Sequence, residues 1–209
     1  MKIITKCCTL IVLLCSFITV RCSWQAKMFY PYTFQTGKVL EQGKNEIGVH
    51  IPANVTIARG ILRSGLELRA GAGLSGLDIF GANLGLGKSV TRSTHLFSSG
   101  YADTEIFFNS EHEYAGMRFT GTCALGYYFR NDFGVFAPIK AGYLFYDLAG
   151  SKGGNVVFVP GLGITYERRH VAVRLTGNVP LPTAIHGTDD AATEVLQMPY
   201  AGLQLLFCW

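Results

Sequence analysis

From about residue 44 to the last residue, apolar side chains recur with a period of two, which restricts the chain to β-strands that are apolar on one face. In Glu46-Ile47-Gly48-Val49-His50-Ile51 the apolar positions are odd, and in Leu66-Glu67-Leu68-Arg69-Ala70 they are even. Phe80, Ala82, Leu84 and Leu86 form one side of the next run. Met117, Phe119, Cys123, Leu125, Tyr127 and Phe129 follow, then Val135, Ala137, Ile139, Ala141, Tyr143 and Phe145. Val156, Phe158, Leu162, Ile164 and Tyr166 make a sixth run, and Val171, Val173 and Leu175 a seventh. Leu203, Leu205, Phe207 and Trp209 close an eighth.

The connections between these runs are of two kinds. Segments 73–76, 130–132 and 167–169 are short and rich in turn residues, whereas 54–61, 88–112, 147–154 and 180–193 are longer. Long and short connections alternate in order, as in a barrel with short turns at one end and longer loops at the other. With both ends of the chain on the short-turn side, the strand number is even. Eight satisfies this. If Thr104-Glu105-Ile106-Phe107-Phe108 is also a strand, a second must accompany it, which makes ten.

Alternation does not say which face meets water. The face opposite the apolar one decides, because it is rich in Gly, Thr, Asn and Tyr and carries few charges: Glu67, Arg69, Arg118, Lys140, Glu167 and Arg174. A water-exposed sheet face normally carries far more Lys and Glu. Charged residues make up only 15% of the chain, against about 25% in an average soluble domain. Small and mixed-sign residues suit a cramped interior in which carboxylates and guanidiniums pair. The expected fold is therefore all-β: an antiparallel, up-and-down transmembrane β-barrel of eight strands, or ten, over 44–209. Tyr127, Phe129, Tyr143, Phe145, Tyr166, Phe207 and Trp209 fall toward strand ends, where an interfacial girdle belongs. The alternative is a soluble lipocalin-like barrel with the same faces reversed, carrying a ligand in its interior.

Residues 1–22 have the three parts of an export signal: Lys2 and Lys6, an apolar core from Leu10 to Val20, and Arg21 ending it. Cleavage before Ser23 is one expectation; acylation of Cys22 is another, although Arg21 departs from the small residue such sites carry. Segment 23–43 is expected to be periplasmic or interfacial, with its aromatic-rich part, 24–35, at the periplasmic interface or entering the lumen. Four of the six cysteines belong to the signal, and only Cys123 and Cys208 remain in the body. They lie on opposite faces of their strands, so two free thiols are expected.

The final residues, Leu203, Leu205, Phe207 and Trp209 alternating with Gln204, Leu206 and Cys208, resemble the C-terminal signature of bacterial outer-membrane barrels. Residues 36–49 resemble the approach to the first strand of small exported barrels, and 66–81 their second hairpin. As a pattern the chain is similar to porin-like barrels of the OmpW and OmpX size class. This resemblance implies outer-membrane lipid and the barrel-assembly machinery as partners, with Leu203, Leu205, Phe207 and Trp209 as the assembly signal. It implies narrow permeation of small solutes, including sideways release of apolar solutes into the bilayer, or presentation of surface loops to external host ligands. An adhesin or structural barrel with a plugged lumen is the alternative within the same class.

Some barrels of this architecture modify lipid A with a His, a Ser and an acidic partner. The candidate place is 180–193, with His186, Thr188, Asp189, Asp190 and Glu194, while Ser98, Ser99 and Ser110 fall in other expected loops. No family spacing is reproduced, and the expectation is a protein that is not an enzyme. Glu111, His112 and Glu113, with His95, do not make a ready metal site, because neighbours on extended backbone point to alternate sides. Gly85-Leu86-Gly87-Lys88-Ser89 lacks the full spacing of a phosphate loop and is read as a turn. No cofactor is expected. The net charge of +4 is spread along the chain without interleaved aromatics, so no nucleic-acid partner is expected either. Arg69, Arg118, Lys140 and Arg174 against Glu67 and Glu167 would make a salt-bridged plug with a small positive surplus, which would favour anions in a narrow path if the barrel has ten strands or its interior relaxes.

Overall fold

The computed structural model describes residues 35–51, 54–75, 79–109, 114–130, 132–148, 151–179, 181 and 200–209. Ten strands follow in chain order: β1 (Asn45–Ile51), β2 (Asn54–Leu62), β3 (Leu66–Ser75), β4 (Ile79–Arg92) and β5 (Leu96–Asn109), then β6 (Tyr114–Arg130), β7 (Phe133–Leu148), β8 (Ser151–Arg168), β9 (Val171–Asn178) and β10 (Tyr200–Cys208). Each pairs antiparallel with its sequence neighbours, and β1 pairs with β10 to close the barrel. At that seam Ile47 faces Phe207 and Val49 faces Leu205. Reciprocal backbone bonds between Asn45 and Trp209 (2.9 and 3.0 Å) extend the seam to the last residue.

Ten, the larger of the two expected counts, is the strand number. The two strands beyond the eight alternating runs are β2 and β5. Segments 54–61 and 88–112, read as loops, are mostly strand, and so is 147–154. The run 85–89 lies within β4 and is not a turn. Connections of two to four residues join all neighbouring strands except β9 and β10, which are separated by 179–199. The expected alternation of long and short connections does not hold among the described strands. The end where β3 passes to β4 is also opposite to the end where β6 passes to β7 and β8 to β9. A period of two marks the faces of a strand but not its ends, because a barrel strand continues past the apolar belt.

The wall is uneven in height. β6, β7 and β8 have 17, 16 and 18 residues, whereas β1, β9 and β10 have 7, 8 and 9. Roughly 9–11 tilted residues cross a bilayer. Beyond β9, Val179 N donates to Pro160 O and Leu181 N to Phe158 O, both at 3.0 Å, and continue the pairing along β8.

The outer surface is apolar throughout the belt. Leu84, Leu86, Ile106, Phe119, Leu125, Ile139, Leu162 and Ile164 are all exposed there. Aromatic side chains gather at both ends of this belt. Tyr127, Phe129 and Phe133 meet near the terminus end, with ring centroids 5.3 and 6.2 Å apart. Phe80 with Phe108 and Tyr143 with Phe145 meet near the far end, at 5.4 and 4.5 Å. Inside the barrel, large side chains oppose glycines. The Tyr101 ring occupies the space a Cβ on Gly87 would take, and the Phe136 ring that of Gly163. Setting a large side chain against a glycine fits both into a narrow barrel.

Candidate functional site

All six charges that the sequence places on the inner face lie inside the barrel, and they do not stand alone. Among the described residues the interior holds five cations (Lys38, Arg69, Arg118, Lys140, Arg174) and five anions (Glu46, Glu67, Asp103, Glu105, Glu167), all joined in ion pairs. Arg69 Nε is 2.7 Å from Glu67 Oε1. Arg174 Nη2 bridges Glu167 at 3.3 Å and Glu46 at 3.7 Å. Arg118, only 2% exposed, contacts the Glu105 carboxylate directly, and Lys140 lies 3.8 Å from Asp103. The expected positive surplus is thus corrected to a balance, since Glu46, Asp103, Glu105 and Lys38 also face inward. Glu46 was legible as the even partner of Ile47 and Val49. Asp103 and Glu105 were hidden because β5 carries Ser98, Gly100 and Thr104 on its outer face, which blurs the alternation.

Lys38 arrives by another route. Residues 35–42 do not join the sheet; they pass into the terminus end of the lumen as a strap, and Gln35 and Thr36 are buried there. Lys38 Nζ reaches Glu167 at 2.9 Å and sits 3.3 Å above the centre of the Tyr128 ring. Tyr101 Oη donates to Lys38 O at 3.0 Å, and Leu40 N donates to Glu67 Oε2 at 2.8 Å. The wall is shaped to receive the strap. A Cβ on Gly126 would strike Thr36 O, and one on Gly60 would strike Glu41 O. Gly37, at φ +85°, turns where a side chain would meet Phe97 O.

Between the strap and the strand ends lies a vestibule of about 690 Å³. Eight Lys or Arg residues and five Asp or Glu residues line it. The charge balance of the deeper lumen is therefore lost at this mouth, where cations are in excess.

Other candidate residues fall elsewhere. Ser98 and Ser99 are on β5 and not in a loop, with Ser99 buried inside. His95 Nδ1 is bonded to Tyr128 O at 2.8 Å. Cys123 faces outward and Cys208 inward; both are free thiols. Leu203, Leu205, Phe207 and Trp209 share the outer face of the seam. Cys22, Ser110, Glu111, His112, Glu113, His186, Thr188, Asp189, Asp190 and Glu194 lie outside the described residues, as do 1–22 and most of 23–43.

An apolar outside, two aromatic girdles and a paired, charged inside invert the distribution of a soluble barrel. The chain is a transmembrane β-barrel. No family model matches its sequence, and no curated protein resembles it closely enough to match. Among solved structures it is similar to in-vitro folded OmpT, an outer-membrane protein of Vibrio cholerae, at 11% identity and a TM-score of 0.37. That alignment covers 80% of this chain and 56% of OmpT, so the chain spans little more than half of that neighbour. It is also similar to the KdgM porin, at 6% identity and a TM-score of 0.36, covering 78% of this chain and 96% of KdgM. The same porin in complex with disordered oligogalacturonate aligns at 6% identity with a TM-score of 0.34, over 79% and 95% of the two chains.

Proposed function

We propose that the protein is a narrow conduit for small solutes in the outer membrane of a diderm bacterium, closed at rest by its N-terminal strap and without enzymatic activity. The observation that carries this reading is that barrel closure does not involve the strap. β1 pairs with β10 over the seam, while, among the described residues, 35–41 are held inside by side-chain and carbonyl contacts. The strap can therefore leave the lumen without breaking the wall. A barrel of ten strands is wider than the eight-stranded kind that side chains fill completely, and far narrower than an open porin of roughly 16–18 strands. Assembly by the barrel machinery through the outward face of β10 belongs to the same reading.

The test is single-channel recording on the purified full chain in planar bilayers, beside a Gly126→Val variant whose side chain excludes Thr36. Rare or small openings in the parent and larger, longer ones in the variant are expected. If both stay silent while both remain folded, the second reading takes over: a plugged barrel that presents its far-end connections. The fully paired interior charges favour that reading.

A further inference from the structure

Four cations of the vestibule, Lys44, Arg63, Arg168 and Arg169, have no carboxylate partner among the described residues, and all four are exposed. Two tight turns hold the arginines. Arg63 sits in the β2–β3 turn, closed by Gly65 N donating to Leu62 O at 3.0 Å. Arg168 and Arg169 begin the β8–β9 turn, where Arg169 takes φ +37°. That turn is pinned on one side by Glu167 N donating to Asp132 O and on the other by Cys208 N donating to His170 O, at 2.7 and 2.9 Å. The rim cations are therefore placed by backbone structure and do not neutralise neighbours.

A second feature lies at the floor of the same cavity. Arg174 is 94% buried by its 6% exposure, and its Nε has no hydrogen-bond partner although Nη1 and Nη2 are engaged. One donor of a buried guanidinium is thus left over at a residue that lines a cation-rich cleft. Clefts lined by one sign of charge concentrate the opposite ion. Guanidiniums bind planar or tetrahedral oxyanions through paired N–H donors more tightly than they bind spherical ions.

We propose that the vestibule is a binding site for small solutes bearing oxyanion groups, phosphate or carboxylate, with Arg63, Arg168 and Arg169 drawing them in and Arg174 meeting them at the floor. This deepens the conduit reading by naming its substrate class, while the binding itself is measured without any current.

The experiment uses the full chain in phosphatidylcholine nanodiscs and follows the anisotropy of a pyrene trisulfonate dye. The dye binds and is displaced by inorganic phosphate or citrate, but not by glucose or by sodium chloride at matched ionic strength. In an R63Q/R168Q/R169Q variant, which leaves every strand pair intact, affinity falls roughly tenfold or more. Unchanged affinity in that variant, or displacement by sodium chloride as effective as by phosphate, overturns the proposal. Nanodiscs containing phosphatidylglycerol separate the two sources of phosphate. Retained dye binding supports a free solute; abolished binding assigns the site to lipid headgroups and overturns the solute class. Dye binding without conductance sinks the conduit reading alone, and conductance without dye binding sinks this one alone.

Discussion

Lys38 Nζ lies 2.9 Å from Glu167 Oε2, so a cation on the strap is tied to an anion on β8 that is 129 residues away in the chain. The same carboxylate accepts from Tyr128 Oη at 2.9 Å, and Tyr128 offers its ring face to the ammonium. A part-buried charge-assisted bond of this kind contributes about 1.5–3 kcal/mol. Lys38→Met removes it while keeping most of the packing, and should raise the open probability in planar bilayers several-fold. Lys38→Arg should stay near the parent. An unchanged open probability in the methionine variant would show that the strap does not close the path.

Glycines at the strap contact should behave differently from glycines of the lipid face. Gly126→Val should release the strap, because the new side chain would overlap Thr36 O, and limited trypsin should then cut after Lys38 and Lys44. Gly121→Ala is the control. Its Cβ would meet nothing closer than 3.8 Å, so the change should stay within about 0.5 kcal/mol and leave trypsin resistance intact. Equal trypsin sensitivity in the two variants would sink the assignment.

Arg118 and Glu105 face each other across the β5–β6 pairing, with Arg118 almost fully buried. Arg118→Met leaves a carboxylate in the interior without its partner and should cost about 3–5 kcal/mol. The double variant Arg118→Met with Glu105→Gln should recover more than half of that loss. The temperature at which the SDS-resistant form converts to the boiled form reports both. No recovery in the double variant would mean that the pair does not act as a unit.

Cys123 points outward in the middle of β6, opposite Gly100 and Ile139 on its neighbours. Cys123→Arg should cost about 2–4 kcal/mol in a bilayer. In a Cys208→Ser background, a lipid-soluble maleimide should label Cys123 in nanodiscs, and a charged maleimide should not. Ready labelling by the charged reagent would show that the sheet has been read with its faces exchanged.

The sequence by itself determined which face of most strands meets lipid, because a period of two survives any change of strand partner, height or closure. Ile47, Leu86, Leu125, Ile139 and Phe207 are readable as outward from their neighbours alone. It also determined the six inner charges and the separation of the two thiols. What only the tertiary structure decided is everything that depends on residues far apart meeting. β2 and β5 are strands because neighbours on both sides saturate their backbone, although Arg59 on one and Ser98, Gly100 and Thr104 on the other weaken their apolar face. The lumen is balanced in charge because Glu46, Asp103 and Glu105 reach cations on other strands. The strap has no periodicity at all, since it belongs to no sheet. Its place depends on Glu67, Tyr101, Gly126 and Glu167, on four different strands, and no local pattern records a contact whose two halves are brought together only when the barrel closes.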